Sequence, residues 1–230
     1  MKASPAAFLA VLLMASCGGG QQQTVNPVKT LQDAATAMAA LKTVNANLKF
    51  TKGAVTFQGF TLVGAKASVR LPSDSDTNYT VKQQDLAIGL EVVITGGHVY
   101  LHLPFSSYQE LTGAQAAAIP DVAKLFDPAT GLPSVIPAGL SPRYAGASRV
   151  DGVDTYEVDA TYSPDQLRSL LAQLSSSGDV RAQIWIGTSD HLIRKAVLDG
   201  PFGDGGKEAS VEVDISGFNT AVNISPPPTS

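Results

Sequence analysis

Hydrophobic positions change period several times along the chain, and each change predicts an element. Leu31, Ala34, Ala35, Met38 and Leu41 recur at helical spacing behind Asn26 and Pro27. Asn suits the N-cap and Pro the first helical position, so a helix is predicted to open at Asn26. From Asn45 the period drops to two. Ala46, Leu48 and Phe50 alternate with Asn47 and Lys49, then Ala65, Ala67, Val69 and Leu71 alternate with Lys66, Ser68 and Arg70, as in strands with one wet face. Gly96-Gly97 suits the positive φ angles of a two-residue hairpin turn. That loop length pairs Ile94 with Val99, Val92 with Leu101 and Leu90 with Leu103 on one apolar face. The other face carries Thr95 with His98, Val93 with Tyr100 and Glu91 with His102. A slip of one residue would exchange the faces, so turn and pattern support the same register. Asp151-Gly152 predicts a second hairpin with Arg149 opposite Asp154, Ala147 opposite Tyr156 and Ala145 opposite Val158.

Between the hairpins, residues 112 to 140 break the strand rhythm. An Ala-rich helical stretch, Gly113 to Ile119, precedes Pro120, a turn over Asp121 to Phe126, and the run Asp127-Pro128-Ala129-Thr130-Gly131-Leu132-Pro133. A second helix is marked by Ser163 as N-cap, Pro164, and Gln166 completing a capping box, with Leu167, Leu170, Leu171 and Leu174 as its stripe. Strand patterns follow at Val180 to Ile186, Leu192 to Leu198 and Ala209 to Ile215, and Pro226-Pro227-Pro228 stops the last element. No repeat or linker divides the chain. The expected fold class is α+β: one domain over 27–225, built on a large antiparallel sheet, with a Pro-rich tail at 226–230.

Composition narrows the function classes. The chain of 230 residues carries a formal charge of −4, which disfavours nucleic acid and polybasic membrane contact because both need surplus cation to neutralise phosphates. Only 16% of residues are charged, below the roughly 25% of a typical soluble domain. The single cysteine, Cys17, follows Lys2, the apolar run Ala6 to Ala15, and the small residues of Met14-Ala15-Ser16. A run this short falls well below the ~20 residues that span a bilayer, so it reads as a cleaved export signal. The pattern resembles the bacterial lipobox, which implies a signal peptide at 1–16, lipidation of Cys17, and a flexible tether over 17–26.

Four segments carry a wider resemblance: Leu125-Phe126-Asp127-Pro128-Ala129-Thr130-Gly131-Leu132, Gly96-Gly97-His98-Val99-Tyr100-Leu101, Val150-Asp151-Gly152-Val153-Asp154-Thr155-Tyr156, and Ile184-Trp185-Ile186-Gly187-Thr188-Ser189-Asp190-His191. In motif and spacing the chain resembles the LppX/LprG family of actinobacterial lipoproteins over most of residues 27 to 225. That resemblance implies a curved antiparallel half-barrel related to the LolA/LolB carriers, with helices over its concave face and an apolar cavity for acyl chains. It also implies transport of lipids or glycolipids from the plasma membrane toward the cell envelope, a membrane exporter as partner, and a lipid-anchored place on the outer face of the cell membrane. Tyr108 departs from it, standing where a Trp is expected after the central hairpin.

Burial of a sixteen-carbon chain is worth on the order of 12 kcal/mol, at ~0.8 kcal/mol per CH₂. A carrier therefore needs apolar shape and little chemistry. The expected lining is Leu90, Val92, Ile94, Val99, Leu101 and Leu103 from the first hairpin, Tyr156 and Val158 from the second, and Leu132, Val135 and Ile136 from the covering loop, with plain core packing as the alternative for each. No catalytic residues, cofactor or metal are expected, and the domain is expected to be monomeric. His98 and His102 lie ~13 Å apart along a strand, too far for one zinc site. His191 falls in a turn without a nucleophile elbow. The competing function class is a sensor or partner-docking lipoprotein on the same kind of fold.

Overall fold

The structure, a computed structural model, describes residues 24–57, 59–84, 86–170 and 176–229. The proposed signal peptide, Cys17, and the helical positions Leu171 and Leu174 lie outside the described residues. Helix α1 spans Pro27–Ala39, and its start follows the local chemistry: the Lys29 amide donates to Asn26 Oδ1 at 3.2 Å. Thr30, Leu31, Ala34, Ala35 and Met38 form its buried face.

Twelve strands follow: β1 (Thr43–Lys52), β2 (Val55–Phe57), β3 (Phe60–Arg70), β4 (Asp74–Gln83), β5 (Leu86–Thr95), β6 (His98–His102), β7 (Gln109–Leu111), β8 (Leu140–Val150), β9 (Val153–Tyr162), β10 (Val180–Gly187), β11 (Ile193–Gly203) and β12 (Lys207–Ser216). All pair antiparallel in one sheet of order β7-β6-β5-β4-β3-β1-β12-β11-β10-β9-β8, with β2 paired only to β3. Successive strands are mostly neighbours, and β1 between β3 and β12 joins the two halves. The sheet stays open, because β7 and β8 form its two edges.

The first hairpin has the expected register at Ile94–Val99, Val92–Leu101, Thr95–His98, Val93–Tyr100 and Glu91–His102. The expected Leu90–Leu103 pair does not form, because β6 ends at His102 and the chain turns at Leu103. In the second hairpin Arg149–Asp154 and Ala147–Tyr156 pair as expected. Beyond Gly146 the register shifts, so Tyr144, not Ala145, lies opposite Val158. The extra residue is a bulge, which bends β8 at the edge of the sheet.

The short helical elements cross the concave face: α2 (Gly113–Ala117), a 3-10 turn (Val122–Phe126), α3 (Leu132–Val135) and α4 (Pro164–Leu170). The capping box at α4 forms in both directions: the Ser163 amide donates to Gln166 Oε1 at 2.7 Å and the Gln166 amide to Ser163 Oγ at 3.4 Å. Leu31 and Met38 of α1, with Phe126, Ile136 and Leu167, join Val44, Val69, Val158, Val180 and Ile186 of the strands in the main core.

The C-terminal segment is packed on the opposite, outer face. Thr43 Oγ1 donates to the Thr220 carbonyl at 2.6 Å, and Arg70 Nη2 donates to the Ile224 carbonyl at 3.0 Å. Ile224 is buried with Val93 and Tyr100, flanked by Tyr108 and Val222. An outward-facing Val and Tyr on a wet face would otherwise be exposed, so the tail seals them. We expect Ile224→Ala to lower unfolding free energy by about 2 kcal/mol, the low end for an aliphatic truncation at a small satellite cluster. Chemical denaturation checks this; an unchanged midpoint would show that the tail only rests on the sheet.

Candidate functional site

Apolar side chains from alanine to phenylalanine line a hollow of about 260 Å³ between the concave face and the elements that cross it. One wall is the sheet: Ala46, Leu48 and Phe50 of β1, Leu62, Ala65 and Ala67 of β3, Val180, Ala182 and Ile184 of β10, Ala196 and Leu198 of β11, and Val211, Val213 and Ile215 of β12. The other is Pro120, Val122, Leu125 and Phe126, then Leu132, Val135 and Ile136, and Leu167 and Leu170 of α4. Within β1, β10 and β12 the residues named come from one parity, as a pleat requires, and on β3 the parity changes from Leu62 to Ala65 across the register shift between Leu62 and Gly64.

Polar atoms are scarce there, and two of the four polar side chains are tied to backbone. Tyr162 donates its hydroxyl to the Ile136 carbonyl at 3.0 Å, and Ser176 donates to the Gly178 carbonyl at 2.6 Å. Burial pushes the Tyr162 phenol up, and pushes the Tyr79 phenol up to about 12, so both stay neutral at physiological pH. Thr77 completes the polar lining. One bound water needs only ~10–15 Å³ and two to four polar partners. This hollow has far more room and few partners, so it suits an apolar chain better than water.

Of the residues expected to line a cavity, the structure brings Leu132, Val135 and Ile136 to the hollow. Val92 and Ile94 are buried instead in a second cluster with Tyr79 and Val81, and Leu90, Val99 and Leu101 pack against it with Ile119. Leu103 is 40% exposed beyond the end of β6. Val158 is fully buried in the main core, and Tyr156 meets Tyr144 edge-on, with ring centroids 5.9 Å apart. The displacement has a physical cause: the covering loop crosses β1, β3 and the β10–β12 half, while β5 and β6 lie farther along the curve. The lining of β1 and β10 to β12 was visible as alternation but carried no signal that helices stand off it.

The Phe126-to-Gly131 motif shapes the roof. Asp127 Oδ1 accepts from the Ala129 amide at 2.9 Å, the Thr130 amide at 2.8 Å and Thr130 Oγ1 at 3.0 Å, and the Gly131 amide donates to the Asp127 carbonyl at 2.8 Å. A Cβ on Gly131 would lie 2.5 to 2.7 Å from the carbonyl oxygens of Leu125, Lys124 and Asp127, so only glycine fits under this turn. The turn aims Leu132 and Val135 inward. These hydrogen bonds hold the Asp127 carboxyl below its ordinary value, those from Thr130 first.

Titratable groups gather on the outer face instead. His102 Nδ1 lies 3.5 Å from Glu91 Oε2, and its ring stacks on Tyr108 with centroids 4.6 Å apart. Burial, with Glu91 adding to it, pushes the Tyr108 phenol up to about 12 and raises the Asp76 carboxyl. His98 Nδ1 pairs with Glu110 Oε1 at 2.7 Å, and His191 sits at the β10–β11 turn with φ 57°. Among the described residues no three His, Cys, Asp or Glu side chains gather to hold a metal.

The model of the LppX_LprAFG lipoprotein family matches residues 26–224. The chain is similar to the lipoarabinomannan carrier protein LprG of Mycobacterium tuberculosis, 25% identical over 98% of this chain and 94% of that one. It is also similar to the LprG of Mycolicibacterium smegmatis, 30% identical over 59% of this chain and 55% of that one. Two solved structures share the fold: LprF from Mycobacterium bovis, with a TM-score of 0.70 at 20% identity over 89% of this chain and 97% of that one, and LppX from M. tuberculosis, with 0.61 at 18% identity over 86% and 97%.

A carboxyl bound in the folded state contributes stability that is present above its unfolded pKa, near 3.8, and is lost as pH falls through the lower folded value. We expect Asp127→Ala to melt lower than the parent at pH 7, and the gap to close below about pH 4. Melting curves across pH 3 to 7 check this; a gap independent of pH would mean that the charge is not what holds the turn.

Proposed function

We propose that this chain, a member of the LppX_LprAFG lipoprotein family, holds the acyl chains of a lipid or glycolipid in the hollow and carries it from the cell membrane toward the envelope. The observation that supports this best is the lining: a hollow of about 260 Å³ with apolar walls on both sides and its tyrosine and serine hydroxyls turned to backbone or kept neutral. Each CH₂ moved from water into such a place is worth ~0.8 kcal/mol, without any charge or catalytic group. The similar LprG proteins are named lipoarabinomannan carrier proteins, and a carrier role agrees with an apolar site that leaves a headgroup outside.

In this reading Cys17 is acylated and anchors the domain to the outer face of the cell membrane, and a membrane exporter acts as donor or acceptor there. Two acyl chains on the anchor would hold it durably, whereas one would not. Function is then transfer between apolar surroundings and involves no bond-making step.

The test is organic extraction and mass spectrometry of lipid from the Cys17→Ser protein, purified without detergent. A stoichiometric acylated lipid is expected, and lipid-free protein that binds none on incubation with lipid would overturn the proposal. Added volume locates the chain. Ala196 faces the hollow, whereas Ala34 of α1 is buried in the packed core. We expect Ala196→Trp to keep the melting temperature of lipid-free protein while bound lipid falls several-fold. Ala34→Leu should overpack and destabilise by about 1–3 kcal/mol. Similar losses of stability in both would show that the hollow is collapsed core.

A further inference from the structure

The apolar concave face does not end where its cover ends. Along β5 its inward positions pass from buried Ile94 and Val92, through half-buried Leu90 and Ile88, to Leu86 at 66% exposure. Along β6 they pass from half-buried Val99 and Leu101 to Leu103 at 40%. This stripe touches the hollow, because Leu62, Ala65 and Tyr79 belong to both. Beyond Leu103 the chain turns tightly: the Ser106 amide donates to the Leu103 carbonyl at 3.2 Å, and Ser106 Oγ donates to the same oxygen at 2.9 Å. Pro104 and Phe105 are the two central residues, and Phe105 has φ 65°. That position favours glycine or asparagine. Here it holds a wholly exposed phenyl ring, so both its backbone and its side chain are in unfavourable places and neither serves the packing of the fold.

We propose that this corner of the sheet, with Phe105 at its tip and Leu86 and Leu103 behind it, inserts into the lipid bilayer and continues the apolar stripe from the hollow into the membrane. Leu86 opens β5 just after the β4–β5 turn and Phe105 lies in the turn that follows β6, so in this antiparallel sheet both project from turns at the same end of the strands. Protruding apolar tips suit a medium that closes around them, as acyl chains do, while a protein partner would need a cleft shaped to each. Lys82 pairs with Ala87 directly behind Leu86 and is exposed, a cation placed for anionic headgroups. Thr24 lies seven residues after Cys17, so an anchor there confines the start of the domain to within ~25 Å of the bilayer. The inference rests on the carrier reading for its purpose, but it makes a separate claim about where the membrane is touched.

The test uses the Cys17→Ser chain and vesicles of phosphatidylglycerol and phosphatidylethanolamine in equal parts. The parent is expected to sediment with the vesicles. Phe105→Gly should weaken that partition at least tenfold while its melting temperature stays the same or rises, since glycine is favoured at this φ. Leu86→Ser should weaken it by a smaller factor. As a check independent of stability, the indole of Phe105→Trp should be quenched by brominated lipid beyond the quenching of Trp185 in the parent. A parent that ignores vesicles, an unchanged partition in Phe105→Gly, or no added quenching in Phe105→Trp would each overturn the docking edge. A parent that carries extractable lipid yet ignores vesicles would sink this inference and leave the carrier reading standing. Vesicle binding by a chain that never holds lipid would do the reverse.

Discussion

A pleated sheet sends alternate side chains to opposite faces, so a chain that keeps alternating over many strands creates one apolar surface as wide as the whole sheet. Here the strands form a single curved layer, and among the described residues only α1, three short helices and a few 3-10 turns are available to cover it. Covering is therefore incomplete by construction. Where α1 descends onto the sheet, Leu31, Met38, Val44, Val69 and Val158 close into ordinary core. Where the covering loop bridges across β1, β3 and β10 to β12, the pleat falls away beneath it and the hollow opens. Beyond β4 the cover reduces to Ile119, and the apolar stripe runs out toward solvent.

That constraint also explains what could be read from the residues. Alternation and turn chemistry placed the sheet and most of its strands, and the Gly96-Gly97 register came out correctly because turn length and apolar pattern agreed on it. The strand β4 escaped notice because its inward positions include Ser75 and Thr77 alongside Tyr79 and Val81, so its alternation is one of burial more than of hydrophobicity. The bulge before Gly146 escaped as well, although an isolated glycine inside a strand pattern such as Gly146 is the signal that marks one.

The site was less legible, for a reason that concerns distance. Leu132, Val135 and Ile136 were reachable because a broken strand rhythm marks a segment that must lie over the sheet. Which strand residues face that segment across empty space depends on curvature accumulated over many strands, and periodicity holds no record of curvature. Val92 and Leu101 alternate as cleanly as Ala182 and Ile184, yet the first two meet neighbours and the second two face the hollow. The Asp127-to-Gly131 turn was legible as a motif; its meaning, a fixed bend that aims α3 inward, needed the three carbonyl oxygens crowded around Gly131.

The same geometry sets how a ligand would act on the fold. Side chains facing a void lack dispersion partners on one side, so the lipid-free protein is short of contacts in proportion to the lining it leaves bare. An acyl chain that supplies those contacts binds the folded state and not the unfolded one, and so stabilises it by RT ln(1 + [L]/Kd). Removing the chain returns that stability, which means that a carrier cannot hold its cargo too tightly without making release slow. In the carrier reading proposed above, the partly covered stripe along β5 and β6 would offer a physical compromise, because a chain sliding from the hollow onto it would keep apolar contacts at every step. A fully closed core would block that path, and a fully open sheet would leave the stripe to aggregate.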